Sequence, residues 1–267
     1  MAPVPYYHHV DLVMSDLSLD ASYGLTSWLA AELRFAVRIV DITPTYSELD
    51  GSDKLVPDDL HHHDTTIVGP TDPWLSLRFG GVLGKLTTSA RVGLTLPLGG
   101  IEQNPYALGA AGRSHEHTQL GTGTLVPLVG MGLSCALDPV DLSVSGLGLF
   151  SLYENRYGFR APSRYFLSAR ATLRLLEGAV RPYVEADLPH ETQELWDGAP
   201  GLEGSNERTD LLVGAGVTWE FSKPWAVEAG FLTRVAKLTE TATFDYPGVL
   251  QLGLSTNFDL SGAGERD

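Results

Sequence analysis

The chain keeps a beat of two. From Trp28 it reads WLAAELRFAVRIV, with Leu29, Ala31, Leu33, Phe35, Val37 and Ile39 on one side and Glu32, Arg34 and Arg38 on the other. From Tyr165 it reads YFLSARATLRLL, where Leu167, Ala169, Ala171, Leu173 and Leu175 alternate with Ser168, Arg170, Thr172 and Arg174. Successive side chains of a strand point to opposite faces, so period two means strand. A soluble sandwich shows the same beat, but with its charged face in water and weaker turns. Here Arg and Glu stand mid-strand and the segments repeat as long hairpins. That is the signature of a transmembrane barrel, apolar towards lipid and polar towards the lumen.

Eleven strands are expected, at 9–22, 27–43, 73–82, 85–97, 119–137, 140–153, 163–176, 179–192, 208–222, 225–238 and 248–259. Their connections alternate. Residues 23–27, 82–85, 138–140, 177–179 and 222–224 are short; 44–72, 98–118, 154–162, 193–207 and 239–247 are long. Outer-membrane barrels place short turns at the periplasm and long loops outside. The fold class is therefore all-β, a single antiparallel up-and-down barrel spanning 1–267, with 261–267 as a tail. Eleven is odd and bacterial barrels are even, so about twelve strands are expected. The simplest repair is one more strand before His9, with residues 1–8 as its stub or as the remnant of a truncated start.

Composition agrees where it speaks. The 267 residues suffice for one barrel, and a net charge of −15 argues against nucleic acid as a partner. The acidity lies in the long gaps, chiefly 48–72 and 191–210. The lone Cys135 excludes an internal disulfide framework and reads as a lipid-facing or core thiol. The longest uncharged stretch, 118–137, carries Gly121, Gly123, Gly130, Gly132 and Pro127, which suits a hairpin better than a membrane helix. MAPVPYYHHV has neither the basic start nor the apolar stretch of a leader. An outer-membrane location then requires that a leader was replaced or the native beginning is missing; a cytosolic protein is the alternative.

Aromatics are expected to form two girdles about 25 Å apart. Trp28, Trp219, Phe221 and Trp225 stand next to short turns, and Trp74, Tyr153 and Tyr165 near the long-loop end.

YGLTSWLAAELRFAV, followed by GPTDPWLSLRFGG and TTSARVGLTLPLG, resembles the outer-membrane barrels of the meta-pathway phenol-degradation type. The resemblance covers roughly residues 17–98, and departs at Ser27, where an acidic residue is usual, and at Pro70-Thr71, which interrupts the second motif. It implies a barrel fold and a bacterial outer-membrane location.

By parity, Glu32, Arg34, Arg38, Arg78, Arg91, Arg170, Arg174, Arg181, Glu185, Asp187, Asp210, Glu220, Glu228 and Arg234 face inward. Buried charges must be paired or hydrated. The lumen is thus either a cross-linked plug or a narrow wet channel; basic rings in a channel favour anionic solutes. Arg34 and Arg174 are expected to hold acidic partners, and Leu173 to face lipid at mid-height.

Histidines gather at the long-loop end. His115 and His117 flank Glu116, and His61, His62 and His63 precede Asp64. Imidazoles so placed could hold a transition metal, although no spacing matches a tight structural site, and solvated loop histidines are the simpler expectation. No other cofactor is expected. Catalysis is not expected either, since no G-x-S-x-G, H-E-x-x-H or phosphate loop occurs. The one candidate rim dyad is His190 with Asp187 or Glu191. The expected partners are outer-membrane lipid and a small anionic or aromatic solute. A plugged structural barrel and, less favoured, a rim hydrolase are the alternatives.

Overall fold

The computed structural model describes residues 7–54, 64–113, 115–201, 207–239 and 248–258. Its elements begin with β1 (Tyr7–Gly24), β2 (Leu29–Ser47), β3 (Thr65–Pro70), β4 (Trp74–Leu83), β5 (Leu86–Thr95) and the short helix α1 (Pro105–Ala110). They continue with β6 (Val126–Leu137), β7 (Val140–Leu149), β8 (Phe159–Arg160), β9 (Arg164–Leu173) and β10 (Val180–Glu191). The last are β11 (Leu195–Trp196), β12 (Ala199–Pro200), β13 (Arg208–Ser222), β14 (Trp225–Lys237) and β15 (Val249–Thr256).

All eleven expected strands are present. They form one antiparallel sheet in the order β1-β2-β4-β5-β6-β7-β9-β10-β13-β14-β15, each paired with its neighbour in the chain. The period-two pattern fixes the register, because a slip by one residue would turn every charged side chain to the apolar face. Thus Asp20 stands opposite Arg34, Arg34 opposite Trp74, Arg78 opposite Arg91 and Arg170 opposite Glu185. The short connections all lie at one end of the sheet and the long ones at the other.

The sheet curls. Arg38 on β2 feels the charge of Glu191 on β10, six places away in the strand order. The buried strand residues mark the inner face: Ala36, Val40, Val126, Leu128, Leu149, Tyr183, Glu185, Leu212 and Leu232 share the parity of the charged side chains. The opposite face is apolar and bare. Leu17 is 78% exposed, Leu167 50%, Met131 70% and Leu252 76%.

Β1 and β15 end the strand order. Among the described residues β1 pairs with β2 alone and β15 with β14 alone. With eleven strands in alternating directions, the two end strands run parallel, so an antiparallel closure takes an odd number of strands between them. Tyr7 and His8 already belong to β1, so the expected stub over 1–8 is too long; residues 1–6 lie outside the described residues, as does the tail 261–267.

The connections hold structure that periodicity misses. Residues 119–125, expected as strand, are irregular and β6 starts at Val126. The reason is local: Gly123 has φ +68°, and Thr122 is turned to Asp72. That buried carboxylate accepts from the N–H of Gly99 at 2.8 Å and from the N–H and hydroxyl of Thr122, each at 2.7 Å. Strand β3 lies within the first long connection and pairs with β2. In the same connection, Asp50 accepts from the N–H and hydroxyl of Ser52, which holds its carboxyl below the usual carboxylate range.

Helix α1 is capped by Asn104, whose side chain accepts from the N–H groups of Tyr106 and Ala107, with Pro105 in the first turn. Strands β12, β11 and β8 form a separate three-stranded sheet. Among the described residues no helix is long and apolar enough to cross a membrane, which has no bearing on a barrel that crosses with strands.

Two expectations about the faces need correction. Trp74 shares the inner parity of Ser76 and Arg78, so it is no part of an outer aromatic girdle. Leu173 does point outward, but it ends β9 beside a short connection; Leu167, in the middle of that strand, occupies the mid-height position. The other aromatics near short turns are exposed: Trp28, stacked at 6.1 Å on Phe79, and Trp219 and Phe221, 5.9 Å apart.

Candidate functional site

The cross-strand register places Glu32, Arg34, Arg38, Arg78, Arg91, Arg170, Glu185, Asp187, Glu228 and Arg234 on one face, and Glu220 continues the same alternation along β13. Most of their ion pairs fall into three groups.

The first group sits near the short-turn end of β2, β4 and β5. Glu32, whose side chain is 14% exposed, accepts from Nε of Arg78 at 2.7 Å and from Nε and Nη2 of Arg91 at 2.6 and 3.2 Å. The hydroxyl of Ser76 donates to it at 3.1 Å. Two arginines directly opposite each other would repel, and the shared carboxylate beneath them removes that cost. Arg34, next along β2, stands 5.3 Å above the ring of Trp74 and 3.7 Å from the exposed Asp20.

The second group lies on β9, β10 and β14. Arg170 pairs with Glu185 and, at 3.2 Å, with Glu228. Its guanidinium stacks on Tyr183, 3.9 Å from the ring centroid, and the Tyr183 hydroxyl donates to Glu228 at 2.8 Å. Glycine makes this packing possible: a Cβ at Gly216 or Gly230 would overlap the Tyr183 phenol.

The third group forms a ladder near the long-loop end. Arg164 pairs with Glu191 at 3.0 Å, Glu191 with Arg208 at 3.2 Å, Arg208 with Asp210 at 3.3 Å, and Asp210 with Arg234 at 3.7 Å. Asp210 is fully buried. Arg38 makes a separate bidentate pair with Asp16, both contacts at 2.7 Å.

Arg34 and Arg174 both hold acidic partners, as expected, but in exposed positions. Arg34 and its partner Asp20 are both largely exposed. Arg174 lies beyond the end of β9 and meets Asp141 at 3.3 Å and the open Asp138 at 3.5 Å. Solvent-exposed pairs of this kind contribute about 0–1 kcal/mol.

The inner face is also less polar than expected. Val126, Leu128 and Leu149 form a buried cluster on it, with Trp74 and Leu147 packed against them. Phe166, opposite Leu147, is 40% exposed on the same face. This patch was legible in part: Trp74, Ser76 and Arg78 are spaced by two.

Above the patch the long connections knit into a cap. The side-chain amide of Asn104 donates to Asp197 at 2.7 Å, that of Asn155 to the Thr122 carbonyl at 3.1 Å, and the Gly198 N–H to Glu154 at 2.7 Å. Tyr106, Phe159 and Trp196 pack together in it, with Phe159 and Trp196 4.7 Å apart.

His115 and His117 belong to this cap. Their rings are 5.1 Å apart, and His115, buried, has Nδ1 2.9 Å from the Arg113 carbonyl oxygen. Among the described residues no group of three or more His, Cys, Asp or Glu could hold a metal ion; His61, His62 and His63 lie outside the described residues. The candidate dyad dissolves. His190 points to the outer face, with Nδ1 2.7 Å from the Thr209 hydroxyl and its ring 5.7 Å from Tyr165, whereas Asp187 and Glu191 point inward. Neighbours in a strand cannot share a face.

Compared with known proteins, the sequence matches no family model and no curated protein. A solved structure is similar: an outer membrane channel from Pseudomonas putida F1, with a TM-score of 0.61 and 12% identity over 92% of this chain and 82% of that one. At that identity the likeness concerns the backbone, and it extends to the kind of barrel rather than to the phenol-pathway family. The chain has the fold of an outer-membrane channel barrel.

Proposed function

We propose that the protein lies in a bacterial outer membrane and acts as a channel or transporter-like barrel for a small solute. The observation that carries this reading is the division of the two faces. Leu17, Leu19, Met131, Leu167, Val184 and Leu252 are each at least half exposed on the outer face, while the strand arginines and their carboxylates gather on the inner one. Water-soluble monomers rarely expose apolar surface on that scale; hydrocarbon removes the penalty. The alternating loop lengths and the backbone likeness to an outer membrane channel support the same reading. The inner arginines favour an anionic solute, and the sequence resemblance to the phenol-degradation type favours an aromatic one. No catalytic role is assigned.

A second reading has its own support. Among the described residues the three ion-pair groups cross-link the inner face and the long connections bond to one another, as a plugged structural barrel requires. Planar-bilayer recording separates the two. Discrete current steps from the refolded protein support passage; a silent bilayer containing folded, inserted protein supports the plug.

A further inference from the structure

We infer that the inner wall running from β2 through β4, β5 and β6 to β7 holds a site for an organic monoanion, a carboxylate on a compact apolar body. Arg34 and Arg78 would meet the charge, and Trp74 with Leu147 the body. The inference rests on the channel reading for its context but not for its chemistry.

The arginines are unequally committed. Arg91 gives Glu32 two hydrogen bonds. Among the described residues Arg78 bonds Glu32 through Nε alone, and its side chain is 45% exposed. Arg34, equally exposed, makes no hydrogen bond among the described residues; it has the loose contact with Asp20, the Trp74 ring and the more distant charge of Asp16. With Arg38 and its partner Asp16, whose charge also meets Arg34, four guanidiniums face three carboxylates here, Asp16, Asp20 and Glu32, which leaves a surplus of one positive charge. That surplus matches a monoanion.

Arg78 starts opposite Ala30 on β2 and reaches Glu32, whose backbone lies one same-face step, about 7 Å, from that of Arg34. Planar guanidiniums present paired donors that fit carboxylate oxygens. Arg34 is held in place by the Trp74 ring beneath it.

The other half of the site is apolar. Trp74 and Leu147 are partly exposed and rest on the buried Val126, Leu128 and Leu149. Packed side chains of this kind lose little freedom when a ligand arrives. A hydrated inorganic anion would gain nothing from them, and a neutral aromatic would gain nothing from the arginines. A molecule carrying both parts uses the whole wall.

Calorimetry on the full chain refolded in detergent tests this with benzoate, acetate and benzyl alcohol. Benzoate should bind about tenfold or more tighter than either of the others. The R34Q/R78Q variant keeps the Arg91–Glu32 pair, so it should fold, as a heat-modifiable band would confirm, and should lose about tenfold or more in benzoate affinity. R181Q, a change on the same face outside the site, should leave it unaltered. Equal affinity for benzoate and acetate, or an equal loss in R181Q, would overturn the site, as would undiminished binding in folded R34Q/R78Q. Calorimetry needs no passage: benzoate binding with silent bilayers removes the channel and keeps the site, and conductance without benzoate binding does the reverse.

Discussion

The guanidinium of Arg170 lies over the ring of Tyr183, 3.9 Å from its centroid, and both groups reach the same Glu228 carboxylate. The ring fits because Gly216 and Gly230 leave the wall beneath it bare. Gly216→Ala and Gly230→Ala should each destabilise the protein by about 1–3 kcal/mol through overpacking. Gly253→Ala, where a Cβ would meet nothing closer than 3.8 Å, should cost far less. Adding Tyr183→Ala to Gly216→Ala should produce less loss than the two single changes summed. Urea titrations in lipid vesicles read all of these, and strict additivity would mean that Tyr183 does not occupy that space.

Ion pairs should differ by burial rather than by charge type. Arg170→Met strands Glu185, a side chain only 7% exposed, and should cost about 3–5 kcal/mol. Arg34→Leu removes one member of an exposed pair and should cost about 1 kcal/mol or less. Comparable losses in the two variants would place Arg34 in a tighter environment than the one described.

The two faces of β9 offer a further test. Leu167→Arg puts a charge at mid-height on the outer face and should cost about 2–4 kcal/mol in a bilayer. Leu173→Arg, at the strand end, should cost about 0–1 kcal/mol. If Leu167→Arg is harmless in folded, vesicle-inserted protein, the outward assignment of that strand fails.

Topology can be read on intact cells. A protease site inserted at 111–113, after α1, should be cut from outside. One inserted at 84–85 or 138–139 should be protected, since these short connections lie at the opposite end of the sheet. Equal cutting at both ends contradicts the alternation.

The strands were legible because a half-apolar strand declares itself residue by residue: Leu33, Phe35 and Val37 against Arg34 and Arg38 admit only one pairing of face and register. The cap was not legible. Its parts are short and held by particular side chains, such as Asp72 on Thr122 and Asn104 on the start of α1, and such contacts leave no period in a sequence. Nearness to a loop suggests a girdle position for Trp74, but parity turns it inward. Proximity in sequence suggests a dyad for His190 with Asp187 or Glu191, but odd spacing along a strand puts them on opposite faces. The large difference between the Arg34 and Arg170 pairs depends on what packs around each, and both look alike as arginines at inward positions.

Refolding by dilution from urea tests the central claim, that the apolar face is built for hydrocarbon, most directly. Into lipid vesicles, the account predicts a β-type circular dichroism spectrum, a heat-modifiable band on gels and flotation with the lipid. A folded, monodisperse protein in plain buffer that fails to enter vesicles would contradict it.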